Sequence, residues 1–151
     1  MIEIGQKIPD FSISDEKGEL VSSESLLGQK YILFFYPKDD SPSCTKEACS
    51  IRDHYKSIIK LGYQIFGVSP DNEKKHKKFI DKYEFQYPLL ADTELEMTKS
   101  FGLYGPKKFM GKDIIGVYRT TVIVNESGNI THIIDNVKTA THGEQILELL
   151  G

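Results

Sequence analysis

The chain has 151 residues, of which 39% are hydrophobic and 27% charged, and a formal charge of −3. A chain of this length can bury a full hydrophobic core as one domain, residues 1–151, without metal or disulfide staples. The mildly acidic balance excludes an electrostatic footprint for nucleic acid or for an anionic membrane surface, and no apolar run approaches the roughly 20 residues that span a bilayer. No apolar signal-peptide core stands at the amino end, so a cytoplasmic protein is expected.

The elements follow in chain order from hydrophobic period and turn chemistry. Asp10–Ser14 and Glu19–Val21 flank the turn Asp15-Glu16-Lys17-Gly18, as in a β-hairpin. Tyr31–Tyr36 is uniformly apolar and reads as a buried strand. Ser41-Pro42 opens a helix, with a hydroxyl to cap the orphan N–H groups and proline at the first helical position. Apolar residues at Ala48, Ile51, Tyr55, Ile58 and Ile59 carry that helix to Leu61, where Gly62 stops it. Tyr63–Val68 is a second buried strand, and Ser69-Pro70-Asp71-Asn72 caps a helix running to about Tyr83. A short strand at Gln86–Ala91, a short helix at Glu94–Phe101 and a glycine-, proline- and lysine-rich loop from Gly102 to Lys112 come next. Strands Val117–Asn125 and Asn129–Asp135 are joined by Glu126-Ser127-Gly128, and His142–Leu150 is a closing amphipathic helix. The order predicts an α/β fold: a central mixed sheet flanked by helices, with an added amino-terminal hairpin.

Cys44 and Cys49 are the only cysteines. Cys44 falls in the first turn of the helix that Ser41-Pro42 opens, where free N–H groups and the helix dipole stabilise a thiolate. A capping box would hold a carboxylate there; here a thiol stands in the anion's place. In a cytoplasmic setting such a close pair is expected to be reduced at rest and chemically active. Zinc is disfavoured, because Cys44, Cys49 and His54 do not make a set of four, and His76, His132 and His142 are scattered. Gly105 to Lys112 has the wrong spacing for a phosphate loop. The lysines at 74, 75, 77 and 78 read as the solvated face of a helix whose apolar side is Phe79, Ile80 and Tyr83.

With its added hairpin, the element order resembles the thioredoxin fold. Pro37-x3-Ser41-x2-Cys44 resembles the active-site motif of the peroxiredoxins, Pro-x3-(Thr/Ser)-x2-Cys. Within that family the resemblance is closer to one branch, the bacterioferritin comigratory protein or peroxiredoxin Q group, through Cys49 five residues on, Phe109-Met110-Gly111-Lys112, and Gly116-Val-Tyr-Arg119. That group usually carries Thr-Pro-Gly-Cys, whereas here the run is Ser41-Pro42-Ser43-Cys44, and serine lacks the methyl that restricts the hydroxyl rotamer.

The resemblance implies a thiol peroxidase without cofactor or metal. Cys44 would attack a hydroperoxide, Cys49 would resolve the sulfenic acid as an intramolecular disulfide, and thioredoxin or a similar dithiol protein would reset it. Arg119 and the Ser41 hydroxyl would stabilise the peroxide oxygens, Pro37 would close the pocket wall, and Glu47 would orient the guanidinium. The expected assembly is a monomer or weak homodimer. Ionisation alone cannot supply the rate. Lowering a thiol from about 8.5 to about 6 gives roughly 30-fold more thiolate at neutral pH. A Brønsted slope of about 0.45 then removes roughly 13-fold of that gain in nucleophilicity. Two other readings share the fold: a disulfide reductase, which would use a Cys-x2-Cys spacing, and a redox sensor whose helix melts on oxidation. Ideal helix geometry sets the two cysteine Cα atoms about 8.7 Å apart, beyond the roughly 7 Å that a disulfide bridges. Disulfide formation therefore requires the first turns to unwind.

Overall fold

The computed structural model describes residues 1–151. Strands β1 (Ser12–Ser14) and β2 (Leu20–Ser22) form the amino-terminal hairpin. Then follow β3 (Lys30–Phe35), α1 (Pro42–Asp53), α2 (Tyr55–Lys60), β4 (Tyr63–Ser69), α3 (Glu73–Tyr83), β5 (Leu89–Ala91) and α4 (Glu96–Ser100). The carboxy-terminal part holds β6 (Tyr104–Phe109), β7 (Lys112–Val117), β8 (Thr120–Val124), β9 (Ile130–Ile134), a short 3₁₀ turn and α5 (His142–Leu150).

The central sheet has the order β5-β4-β3-β8-β9. Its β3–β4 and β4–β5 pairs are parallel, and β8 and β9 complete it antiparallel. Because side chains alternate along a strand, β3 feeds two cores. Tyr31, Leu33 and Phe35 face Phe11, Phe101 and the amino-terminal segment, whereas Ile32, Phe34 and the following Tyr36 face the other side. On that second side lie Cys44, Ala48 and Ile51 of α1, Ile58 of α2, Phe79 of α3 and Ile146 of α5. The candidate nucleophile thus sits inside a hydrophobic core.

Three expectations need correction. The helix expected to run to Leu61 breaks at His54, whose ring Nδ1 lies 2.7 Å from the Ser50 carbonyl. That oxygen is the acceptor the backbone N–H of residue 54 would use; instead the N–H turns to the Ile51 carbonyl. The region from Gly102 to Lys112 is not a loop. It pairs with 112–117 as the β6–β7 hairpin, turning at Met110 and Gly111 with φ of 52° and 79°. This hairpin stands apart from the central sheet and leaves Phe109, Met110 and Ile115 exposed, so it lacks the buried alternation that marks a strand. The strand expected from Val117 to Asn125 is interrupted at Tyr118 and Arg119, where the Tyr118 N–H donates to the Leu103 carbonyl before β8 joins the central sheet.

Helix α5 docks on α1 through a glycine. The Gly143 N–H donates to Ser50 Oγ at 2.9 Å, and a Cβ at 143 would lie 2.5 Å from the Ser50 carbonyl oxygen. A backbone obstacle cannot rotate away. Gly143→Ala should therefore lower the unfolding free energy in urea by about 1–3 kcal/mol; an unchanged midpoint would mean that α5 slides freely on α1.

Candidate active site

The turn between β3 and α1 is built from its ends inward. Pro37, half-buried, follows Tyr36 just past β3 and has no N–H to continue the ladder. Asp40 adopts φ 59°, with its carboxylate taking hydrogen bonds from Lys82 Nζ and Tyr83 Oη, each at 2.8 Å. Both contacts hold its carboxyl below the ordinary range. Ser41 is extended and Pro42 begins α1, as the sequence predicts. The Ser41 hydroxyl, however, makes no capping bond; it donates to the Lys38 carbonyl at 3.0 Å, within its own loop. The first N–H groups of α1 are left without a side-chain cap, at the end of the helix that carries the thiol.

Cys44 is 1% exposed and packs with Tyr36, Ala48 and Ile51 in the helix-side core. Arg119 reaches it from the junction between β7 and β8: Nη2 donates to Sγ at 3.3 Å and Nη1 to Glu47 Oε1 at 2.6 Å. Glu47 lies one turn after Cys44 on the same helix face, which is why one guanidinium serves both. The thiol, guanidinium and carboxylate are thus together. Cys49 is a free thiol on the same helix, half-buried, and burial pushes its ionisation up while Arg52 works against it. Both cysteines lie within the helical span of α1, so the ideal separation of about 8.7 Å applies. Lys107 of β6 donates to the Val117 carbonyl at 2.7 Å, and burial and Arg119 lower its ionisation. It lines, with Tyr118, Arg119 and Thr120, a cleft of about 400 Å³. Two broader clefts beside β1 contain none of these residues.

Two buried histidines escape a sequence reading. His76 of α3 lies 2.6 Å from Asp39 Oδ2 and 2.9 Å from the Leu90 carbonyl, while Tyr36 Oη donates to the other Asp39 oxygen at 2.6 Å. The Asp39 N–H donates to Asp71. The turn before the thiol is thereby tied to α3, to the connection between β4 and α3, and through His76 to β5. His142, fully buried at the start of α5, sits with Nε2 3.6 Å from Glu47 Oε2 and 2.6 Å from Thr121 Oγ1. No local pattern announces either histidine, since their partners are 37 and 95 residues away in sequence (76 − 39; 142 − 47).

A buried thiol held by an arginine on a thioredoxin-like sheet defines the thiol oxidoreductases of that fold, and the comparisons narrow the class. Residues 4–133 match the AhpC/TSA family. Peroxiredoxin Bcp of Bacillus subtilis is 38% identical over 149 residues, covering 99% of this chain and 95% of the relative; that of Escherichia coli is 34% identical, covering 99% and 96%. Among solved structures, BcpB of Mycobacterium tuberculosis superposes with a TM-score of 0.86 at 30% identity, covering 99% and 97%. The bacterioferritin comigratory protein of Xanthomonas campestris, described for alkyl peroxide reduction, gives 0.85 at 28%, covering 93% and 89%. The chain belongs to the AhpC/TSA family, in its Bcp or peroxiredoxin Q branch of thiol-dependent peroxidases.

The burial of Glu47 and His142 leaves a signature in stability. Burial, outweighing Arg119, raises Glu47 from 4.5 to about 7, and burial lowers His142 from 6.5 to about 4. A raised carboxyl favours the folded state below 4.5, and that advantage is lost as pH climbs to about 7. A lowered imidazole favours it above 6.5, and that advantage is lost as pH falls to about 4. Each effect is worth about 3 kcal/mol, and between these limits they oppose each other. Glu47→Gln should therefore unmask the histidine. Relative to the parent, its urea midpoint should drop more steeply on acidification across that interval, and parallel curves would refute the assignment.

Proposed function

We propose that this chain reduces hydrogen peroxide and alkyl hydroperoxides, with Cys44 as nucleophile and Cys49 as resolving thiol. The observation that carries this reading is the donor arrangement at the sulfur: Arg119 Nη2 at 3.3 Å from Sγ, at the uncapped start of a helix. The thiolate attacks one peroxide oxygen, the O–O bond breaks, and Cys44 becomes a sulfenic acid while the other oxygen leaves as water or alcohol. Arg119 and the N–H groups of Ser43 and Cys44 face the place where negative charge develops, the largest source of rate in such sites. The core around Cys44 keeps bulk water from the sulfur.

In the second step Cys49 sulfur attacks the sulfenic sulfur and water leaves, giving a disulfide. Both residues stand within an intact α1, so this step follows local unwinding. Unwinding also removes the burial that keeps Cys49 protonated. A dithiol protein of the thioredoxin type then exchanges with the exposed disulfide and restores both thiols. Pro37 acts as the pocket wall and Ser41 as a polar group reoriented from the Lys38 carbonyl when substrate enters. No helix is long and apolar enough to cross a membrane, and a cytoplasmic monomer or weak homodimer is the setting we infer.

Mass spectrometry under non-reducing conditions tests the scheme. One equivalent of peroxide should remove two hydrogens from the monomer. Cys49→Ser should instead yield a trappable sulfenic acid, and Cys44→Ser should do neither. Arg119→Met should slow peroxide consumption by roughly 10²–10³-fold. A reaction no faster than that of free cysteine would overturn the peroxidase assignment.

A further inference from the structure

Glu47 has more to do than hold a guanidinium. Its Oε1 accepts from Arg119, but Oε2 is fully buried and receives no hydrogen bond. The neighbour of Oε2 is His142 Nε2 at 3.6 Å, and the hydrogen-bond pattern fixes what that nitrogen offers. Gln145 Oε1 accepts the Lys138 N–H at 2.8 Å, and Gln145 Nε2 donates to the Asn136 carbonyl, so the amide oxygen faces His142 Nδ1 at 2.9 Å. Nδ1 must therefore donate. In the neutral ring Nε2 carries a lone pair, accepts from the Thr121 hydroxyl at 2.6 Å, and has no proton for Glu47. Burial and the nearby Arg119 charge keep this imidazole neutral. An ionised Glu47 would bury a charged oxygen with no hydrogen-bond donor, an expensive arrangement. Protonation removes that buried charge, the larger part of the cost.

The charge count points the same way. The ionisable groups around the pair are Cys44 and Glu47 on α1, Arg119 at the β7–β8 junction, Lys107 on β6, His142 on α5, and Tyr87 in the segment entering β5. Tyr87 donates to the Ala48 carbonyl, and its ionisation lies well above the ordinary phenol range, so it stays neutral. The Lys107 ammonium is directed at a backbone carbonyl. One guanidinium is left in contact with both the thiol and the carboxyl. It neutralises one anion, not two.

We propose that Cys44 and Glu47 share a single proton beneath the one charge of Arg119, with Glu47 the positioning residue that carries it while the sulfur is a thiolate. The idea rests on the peroxidase reading above and completes its proton balance. In the resting site the thiol proton passes to the carboxylate, so Cys44–SH and Glu47–COO⁻ become Cys44–S⁻ and Glu47–COOH. The thiolate then attacks R–O–OH: the new S–O bond forms, the O–O bond breaks, sulfur is oxidised and the peroxide reduced. The departing alkoxide takes the proton that Glu47 releases as the neighbouring anion disappears. The products are Cys44–SOH, ROH and Glu47–COO⁻, and the net charge beside Arg119 does not change at any stage.

Two measurements test this. In a Cys49→Ser background, so that one thiol is read, the pH midpoint of Cys44 ionisation is followed by thiolate absorbance and by alkylation rate. Glu47→Gln, which keeps an acceptor for Arg119 and is neutral like the acid it replaces, should leave that midpoint within about half a pH unit. An ionised, merely orienting carboxylate predicts a shift of about one unit or more, down if its charge opposes the thiolate and up if it holds Arg119 in place, and either shift would overturn the proposal. In the unsubstituted reduced protein at neutral pH, infrared difference spectroscopy should record a buried carboxylic-acid band. It should vanish on addition of one equivalent of peroxide and be missing from Glu47→Gln; no such band in the reduced protein would also overturn it. Peroxide consumption measured on the same samples tells the two failures apart, because the thiol titration reads the shared proton whether or not turnover occurs.

Discussion

One guanidinium organises this molecule's chemistry. Arg119 bridges a sulfur and a carboxylate that lie one helical turn apart, with 3.3 and 2.6 Å contacts from its two terminal nitrogens. A lysine could not reproduce this, because an ammonium is a point charge without a planar fork. The bridge needs α1 at a fixed rotation about its axis, and the core supplies that by burying Cys44, Ala48 and Ile51 on one stripe. It also needs the backbone to deliver Arg119 at a strand junction, not mid-strand, where the side chain would stand on a sheet face. The interruption at Tyr118 and Arg119 meets that need.

The turn that carries the motif is held as firmly as the helix. Asp39 is fixed by His76, Tyr36 and the Asp71 carboxylate, and Asp40 by Lys82 and Tyr83. These groups come from α3, from the connection between β4 and α3, and from Tyr36 just past β3, so the loop before the thiol is a product of tertiary packing. Buried polar networks of this kind are specific when every member is satisfied, and both ring nitrogens of His76 have oxygen partners.

What could be read in the sequence was whatever depends on near neighbours. The buried strands at 31–36 and 63–68, the Ser41-Pro42 helix start, the cap at Asn72 and the motif around Cys44 all follow from local pattern and turn chemistry, and all are found. The β6–β7 hairpin was missed because neither of its faces is continuously buried, so no period of two appears. The break at His54 was missed because it depends on a ring competing for one carbonyl. Ser41 was expected to cap the helix, yet its small, freely turning hydroxyl finds Lys38 first. Arg119 could be assigned only through the family resemblance, and His142 not at all, since both depend on elements that meet through the fold.

Helix α1 is unequally secured along its length. Its first turn has no side-chain cap, whereas farther along the Ala48 carbonyl accepts from Tyr87 Oη at 2.6 Å, Ser50 binds the Gly143 amide, and Arg52 reaches the Tyr83 carbonyl. A rod clamped at one end frays from the other. Fraying from the sulfur's side meets the Arg119 bridge at Cys44 and Glu47 and then the Tyr87 clamp at Ala48, one residue short of Cys49. In the proposed cycle, how long an oxidised sulfur waits for Cys49 is then governed by how often the guanidinium and the phenol release the helix.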